Sequence, residues 1–337
     1  MNLALIDILF DRVSKSKKLT SVDFIWHGGE PLLFGLSSFK KILANQKEKF
    51  KHKTIKIKNS IQTNGALIND EWAKLMKEEK IQLGVSIDGP KSLQDKQRKA
   101  MSGNSYDQVM YGMKKLNENK IPFGSLAVIT KESINLGANV LFDFFVKNGI
   151  KTFDFLPQEP LFDEMGNQLT TNIYLTKEYV EFANNLFDIW FSHDDPDIHI
   201  LLFEEIIKTI LGRDSKICQI GSGICASTTF TLYPDGTLRL CDKFPRAYGN
   251  SESGVITKIN EIDRIDDVVT INKYKILLSN QIESLFMCKN CKWYVQCKGA
   301  CAFDRYMYAN QLKLHSECST YKIFEHVNSV IKNQLSE

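Results

Sequence analysis

All eight cysteines of this 337-residue chain lie at or beyond Cys218. Five of them form the run Cys288-x2-Cys291-x5-Cys297-x3-Cys301-x16-Cys318, and Cys218, Cys225 and Cys241 precede it. A Cys-x2-Cys pair lets two thiolates face one centre from a tight turn, and four thiolates complete either a zinc site or a 4Fe–4S cluster. Eight ligands divide evenly into two such sites. Spacing alone leaves zinc and iron–sulfur equally open. A reducing cytoplasm, where the chain is expected, argues against a set of disulfides.

The part before the cysteines alternates strand-like and helix-like segments. Val22–Trp26, Ile55–Gln62, Gln82–Ile87, Pro122–Ile129 and Thr152–Leu156 read as strands, rich in Val, Ile and Phe and bounded by turn residues. Asp70–Lys80, Tyr106–Asn119 and Leu136–Asn148 read as helices. Glu178–Leu211 reads as helical with an interruption at Asp194–Asp197. Repeated βα units imply a parallel sheet covered by helices, whose functional loops leave the C-terminal ends of the strands. Those ends carry His27-Gly28-Gly29-Glu30-Pro31, Thr63-Asn64-Gly65, Ser86-Ile87-Asp88-Gly89-Pro90 and Leu156-Pro157. Two glycines let a ligand approach the backbone, and Glu30 offers a carboxylate to an ammonium group. The plain alternative is a tight turn at Gly28-Gly29 and a half-buried structural His27. Past Cys218, Thr228–Tyr233 and Thr237–Cys241 flank Pro234-Asp235-Gly236, a hairpin signal.

These motifs together resemble one family. Trp26-His27-Gly28-Gly29-Glu30-Pro31-Leu32-Leu33, then Gln62-Thr63-Asn64-Gly65, then Val85-Ser86-Ile87-Asp88-Gly89-Pro90 with Asp95 and Arg98, are similar to the radical S-adenosylmethionine (radical SAM) superfamily. The late cysteines resemble its SPASM extension. The resemblance implies an α/β fold: a partial (β/α)6 TIM-like barrel lacking its first strand, over residues 1–212. A small iron–sulfur domain over 213–325 and a tail over 326–337 would follow. It implies that Gly28, Gly29 and Glu30 lie against the methionine amino group of S-adenosylmethionine. Ser86 and Arg98 would contact its ribose and carboxylate side, and Leu156 its adenine. Cys218, Cys225, Cys241 and Cys301 would hold one auxiliary 4Fe–4S cluster, and Cys288, Cys291, Cys297 and Cys318 a second. Asp242 matches the carboxylate that acts as general base in anaerobic sulfatase maturation; its plain alternative is a turn aspartate.

The family's Cys-x3-Cys-x2-Cys motif, whose three thiolates hold the cluster that cleaves S-adenosylmethionine, has no match, because no cysteine precedes Cys218. The chain is expected to begin at the helix after that loop, Leu3–Ser16, by truncation, an internal start or a pseudoenzyme's true start. Val22–Trp26 should then be an exposed sheet edge, and this chain by itself should not cleave S-adenosylmethionine reductively.

The resemblance implies a maturase that modifies a ribosomal peptide by crosslinking or side-chain oxidation through a 5′-deoxyadenosyl radical, served by an electron donor such as flavodoxin or ferredoxin. The alternatives are an anaerobic sulfatase-maturating enzyme forming formylglycine, and a non-catalytic peptide-binding iron–sulfur module. A two-site zinc protein would explain the cysteines but not Gly28–Pro31, Ser86–Pro90 or Arg98. A net charge of +3 gives no reason to expect nucleic acid or an anionic membrane. The basic stretch Lys47–Lys58 reads as a solvated face. MNLALIDILF is too short and too acidic for a signal peptide or membrane span, so the chain is expected to be soluble and cytoplasmic.

Overall fold

The computed structural model describes residues 2–99, 105–163, 165, 167–170, 172–215, 217–220, 225–244, 252–308 and 317–334. The chain divides into two compact units. The first holds Met1–Ser133, Asp143–Leu156 and Ile262–Asp266; the second holds Ile134–Phe142, Pro157–Glu261 and Asp267–Glu337.

In the first unit β1 (Ser21–Trp26), β2 (Lys56–Thr63), β3 (Gln82–Ser86), β4 (Gly124–Ile129) and β5 (Thr152–Pro157) lie in the sheet in chain order, and β1 ends that order. The pairs β1–β2, β2–β3 and β3–β4 are parallel, in registers that set Trp26 beside Ile61, Thr63 beside Val85 and Ser86 beside Leu126. Helices Leu36–Phe50, Asp70–Glu78 and Ser105–Glu118 provide the crossovers that parallel pairing requires. Each expected strand is present within two residues of its expected ends. The helix expected at Leu136–Asn148 is instead two, Lys131–Leu136 and Ala138–Lys147, broken at Gly137 with φ +98°. No sequence reading identified Leu36–Phe50, because Lys40, Lys41, Lys47 and Lys49 crowd it and the polar Gln46 interrupts its buried face.

The order of elements follows from simple chemistry. Asn2, Asn69 and Thr176 cap helix starts by accepting from the amides of Ala4, Trp72 and Tyr179. The apolar faces then bury an aromatic cluster. Phe10 meets Phe24 edge-on with centroids 5.1 Å apart, and Trp26, Phe39 and Trp72 continue the chain of edge contacts. Full burial of a side chain of this size contributes about 1.5–3 kcal/mol. Most of Lys47–Lys58 is exposed, as a solvated face should be.

The second unit contains helices Lys177–His193, Leu201–Ile210 and Ser319–Gln334, packed through Phe187, Trp190, Phe203 and Phe324. The first helix stops where Asp194 turns left-handed at φ +49°. A two-residue strand, β6 (His199–Ile200), follows. The expected hairpin is present but shorter: β7 (Thr231–Leu232) and β8 (Thr237–Arg239) are antiparallel around Asp235-Gly236, and an unforeseen strand, β9 (Val255–Lys258), pairs with β8. Among the described residues no helix is long and apolar enough to cross a membrane.

Candidate functional site

Two groups of chemistry-bearing residues emerge, one in each unit. The first is the rim formed by the C-terminal ends of β1 to β4. After β1 the chain passes through exposed Gly28, at φ +74°, and exposed Gly29. A Cβ built on either glycine would meet nothing within 4 Å, so the backbone is open to a ligand. The His27 ring turns back on its own loop, where its Nδ1 accepts from the Gly28 amide at 2.7 Å. His27 itself is exposed, not half-buried as its plain alternative expected, so its structural role is confined to this one bond within its loop.

Glu30 is held rather than loose. Its Oε1 accepts from the Leu32 amide at 3.0 Å and from the Thr63 hydroxyl at 2.7 Å, and its Oε2 accepts from the Asn64 amide at 2.8 Å. One carboxylate therefore caps the turn Pro31–Phe34 and ties the β1 loop to the β2 loop. A carboxylate has about four lone-pair sites, so an acceptor position on Oε2 remains for a cationic ligand group.

Ser86, at the end of β3, accepts from Gln62 Nε2 at 3.0 Å. Gly84 makes this possible, since a Cβ there would lie 2.0 Å from Gln62 Oε1. Arg98 is engaged by Asp88: Nε donates to Oδ2 at 2.7 Å and one terminal nitrogen donates to Oδ1 at 2.9 Å. Asp88 is only 1% exposed, and its Oδ1 also accepts from the Val128 amide at 2.9 Å. Two of the five guanidinium donors are thus spent on orientation, and three are left for a ligand. Leu156 is half-buried on β5. Gln62, Thr63, Asn64 and Asp88 were visible only as motif letters. Their orienting roles depend on strand register, which the sequence does not display.

The second group is the eight thiols, none of them in a disulfide. Cys288, Cys291, Cys297 and Cys318 line one cavity of about 620 Å³, part of it open to solvent, with Tyr174, Trp293, Arg305, Cys301 and Asp304 also in its wall. Local turns hold the run: the Cys291 amide donates to the Cys288 carbonyl at 2.9 Å, and the Cys297 amide to the Trp293 carbonyl at 2.7 Å. Burial raises Cys297 to about 12 and Cys288 to about 11, and the charge of Cys318 adds to both. In the other set, burial and then Asp242 raise Cys241 to about 12, with Cys218 contributing. Burial and then Asp304 raise Cys301 well above its ordinary range, and Cys218 contributes there too. Cys218 is exposed as a residue; crowding of its sulfur by protein, then the charge of Cys225, raises it. Five of the thiols, Cys288, Cys291, Cys297, Cys301 and Cys318, thus share one cavity wall.

Among the described residues no three His, Cys, Asp or Glu side chains converge at single-ion distance. The donor set, all soft sulfur around an apolar cavity, fits an iron–sulfur group.

Asp242 is half-buried beside Cys241, whose Sγ donates to Oδ1 at 3.3 Å. Close by is a charge cluster that no sequence motif announced. Lys243 pairs with Glu159 at 2.9 Å, and Asp304 acts on Lys243 as well. Burial opposes the lysine's charge, but Asp304, Cys301 and Glu159 outweigh it and hold its ammonium well above the ordinary value.

Comparison with known proteins fixes the family. The pattern of the Radical SAM superfamily matches residues 9–135. A cysteine-type anaerobic sulfatase-maturating enzyme of Clostridium perfringens is 32% identical over 310 residues, which is 89% of this chain and 80% of that protein. The chain belongs to the radical SAM superfamily. A serine-type anaerobic sulfatase-maturating enzyme of Bacteroides thetaiotaomicron is 26% identical, over 97% of this chain and 81% of its own length. Among solved structures, native anSMEcpe with bound AdoMet and Kp18Cys peptide superposes with a TM-score of 0.81 at 28% identity, covering 99% of this chain and 90% of that one. The α/β fold expected from the radical SAM resemblance is the fold observed. As a radical SAM protein the chain is of a 4Fe–4S and S-adenosylmethionine class, and the open Gly28-Gly29 backbone and oriented Glu30 fit the nucleotide's amino-acid end.

Proposed function

We propose that this radical SAM protein is a maturase of the sulfatase-maturating type, which oxidises a side chain of a bound peptide to an aldehyde. The observation that carries the reading is the Asp242 carboxylate against Cys241. Two cysteine-type sulfatase-maturating relatives at 32% and 28% identity, and a peptide in the solved neighbour, support this reading over crosslinking.

S-adenosylmethionine, when bound and reduced by one electron, supplies a radical able to take a hydrogen atom from carbon. This chain's own residues prepare that event. Gly28 and Gly29 would admit the methionine end, and Glu30 would accept from its ammonium. Asp88 holds the Arg98 guanidinium edge, so its remaining donors would be free to meet a carboxylate, while Ser86, fixed by Gln62, would present its hydroxyl to the ribose side and Leu156 would pack on the base. Cys218, Cys225, Cys241 and Cys301 would hold one auxiliary cluster, and Cys288, Cys291, Cys297 and Cys318 the other; these centres supply electron acceptance. Held as a thiolate by a cluster, Cys241 would no longer donate to Asp242, and the carboxylate would be free to take the proton lost from the substrate side chain as its second electron departs. Water would then replace the sulfur of the thioaldehyde left behind, which would depart as sulfide.

The test is mass spectrometry of a Cys-containing sulfatase peptide incubated anaerobically with reconstituted protein, S-adenosylmethionine and a reductant. Protein is expressed with and without the codons upstream of Met1. Sulfur exchanged for oxygen with two hydrogens lost supports aldehyde formation. Loss of two hydrogens alone supports the crosslinking maturase. No change with either protein sinks the enzymatic reading in favour of a peptide-binding module.

A further inference from the structure

Tyr174 stands apart from every motif. It lies in the turn Ile173–Leu175, far in sequence from the thiols, yet three consecutive residues grip it. Its hydroxyl lies 2.8 Å from Thr320 Oγ1 and 3.6 Å from Cys318 Sγ, within reach for the larger sulfur atom, and the Ser319 hydroxyl donates to its backbone carbonyl. The ring is buried in the wall of the cavity that Cys288, Cys291, Cys297 and Cys318 line.

We infer that Tyr174 is a positioning residue that donates its hydroxyl hydrogen bond to the Cys318 sulfur and thereby sets the reduction potential of the centre held by Cys288, Cys291, Cys297 and Cys318. This rests on the iron–sulfur reading proposed above. The direction of the bond follows from proton counting. A metal-bound cysteine sulfur carries no proton and can only accept. Tyrosine has one hydroxyl proton, and Thr320 can supply its own to the tyrosine oxygen. The arrangement that satisfies all three atoms runs from Thr320 to Tyr174 to Cys318. Each donor in such a chain polarises the next. Hydrogen bonds to cluster sulfurs are among the factors that set a cluster's potential. By stabilising negative charge on sulfur, this one favours the reduced form and raises the potential. A purely structural tyrosine would instead affect iron retention and stability, and leave the potential unmoved.

The experiment is an EPR-monitored redox titration of the anaerobically reconstituted full chain, wild type against Tyr174→Phe and Thr320→Val, after iron and sulfide analysis. Cys225→Ser protein, which lacks a ligand of the other set, identifies the signal of the Cys318 centre. Tyr174→Phe, with full iron content, is expected to move the midpoint of that centre to a more negative value and leave the other in place. Thr320→Val is expected to give a smaller shift of the same sign. An unchanged midpoint in iron-replete Tyr174→Phe overturns the inference. If Tyr174→Phe retains no iron, Thr320→Val decides: a negative shift supports it and an unmoved midpoint overturns it. Wild-type protein that takes up no iron and sulfide refutes the cluster reading itself, a separate and recognisable failure.

Discussion

Replacing Asp88 by alanine should both destabilise the first unit and weaken S-adenosylmethionine binding, and the two losses have different sources. Asp88 is almost wholly buried and accepts two bonds from Arg98 and one from the Val128 amide. Removing one partner of a buried ion pair costs about 3–5 kcal/mol. The Arg98 side chain, however, is 30% exposed and can turn to water, so its share is reduced by solvent screening. The buried Val128 amide keeps its full cost of about 1–3 kcal/mol. A total near 3 kcal/mol is the expectation. At roughly 2–4 °C per kcal/mol for a domain of this size, melting should fall by about 6–12 °C. Binding suffers because Arg98 must be re-ordered when the ligand arrives; immobilising such a side chain costs about 0.5–1.5 kcal/mol, or about two- to tenfold in Kd. Calorimetry on the same preparations measures both. Arg98→Ala should lose binding to a similar or greater degree but less stability, because its partner keeps the Val128 bond. Asp88→Ala protein that melts as wild type, or that melts low but binds S-adenosylmethionine unchanged, would refute the anchoring role of the carboxylate.

Gly112→Ala should be far more damaging than Gly84→Ala. Its Cβ would lie 2.2 Å from the Gly65 backbone oxygen, which cannot swing away, whereas at Gly84 the obstacle is the flexible end of Gln62; thermal melting should show a loss of about 1–3 kcal/mol or more for the former and about 1 kcal/mol, the Gln62–Ser86 bond, for the latter. Asp242→Asn, made in the protein expressed with the codons upstream of Met1, should keep the wild-type iron content and S-adenosylmethionine affinity but lower product formation about 10²-fold or more, read by peptide mass spectrometry; unchanged turnover removes Asp242 from the proton step. Glu30→Gln should weaken S-adenosylmethionine binding by about 1.5–3 kcal/mol, the worth of a charged hydrogen bond, measured by calorimetry. Protein freed of iron by chelation should titrate as eight accessible thiols after unfolding, with a lower melting temperature than the loaded form.

The strands of the first unit were legible because their Val, Ile and Phe runs stand between turn residues, with Gly, Asn or Pro soon after β1, β2, β3 and β5 and Pro122 and Gly124 opening β4, and no competing period disturbs them. The break at Gly137 was not, since apolar residues continue on both sides and only a positive φ separates the two helices. In the site, Gly28, Gly29 and Glu30 stood out because adjacent letters make the motif. Asp88 did not stand out as an anchor, because its partners Arg98 and Val128 reach it only after β3 and β4 pair. The run Cys288–Cys301 was readable as local turns, and those turns are present in the backbone bonds of Cys291 and Cys297. Tyr174 was invisible for the opposite reason: 144 residues separate it from Cys318, and nothing in its neighbourhood marks it.

The rim shows why so many of its side chains spend hydrogen bonds on one another. Parallel strands are joined by long crossovers, so the loops at their C-terminal ends are neighbours in space without being held together by short connections. Glu30 ties the β1 loop to Thr63 and Asn64 after β2; Gln62 of β2 reaches Ser86 at the end of β3; Asp88 after β3 reaches Val128 of β4. These links step once across each strand pair, so the open glycines after β1 are indexed against the arginine that Asp88 holds after β3. A substitution at any link should then be felt at the next. The Asp88→Ala and Gly84→Ala effects on ligand affinity should fall short of additive when combined, because both act through the placement of β3's end, and the shortfall should exceed the about 0.3–0.5 kcal/mol within which independent sites add. Full additivity of Asp88→Ala with Gly84→Ala would mean that the links are separate local bonds and that the rim is not a single positioned array.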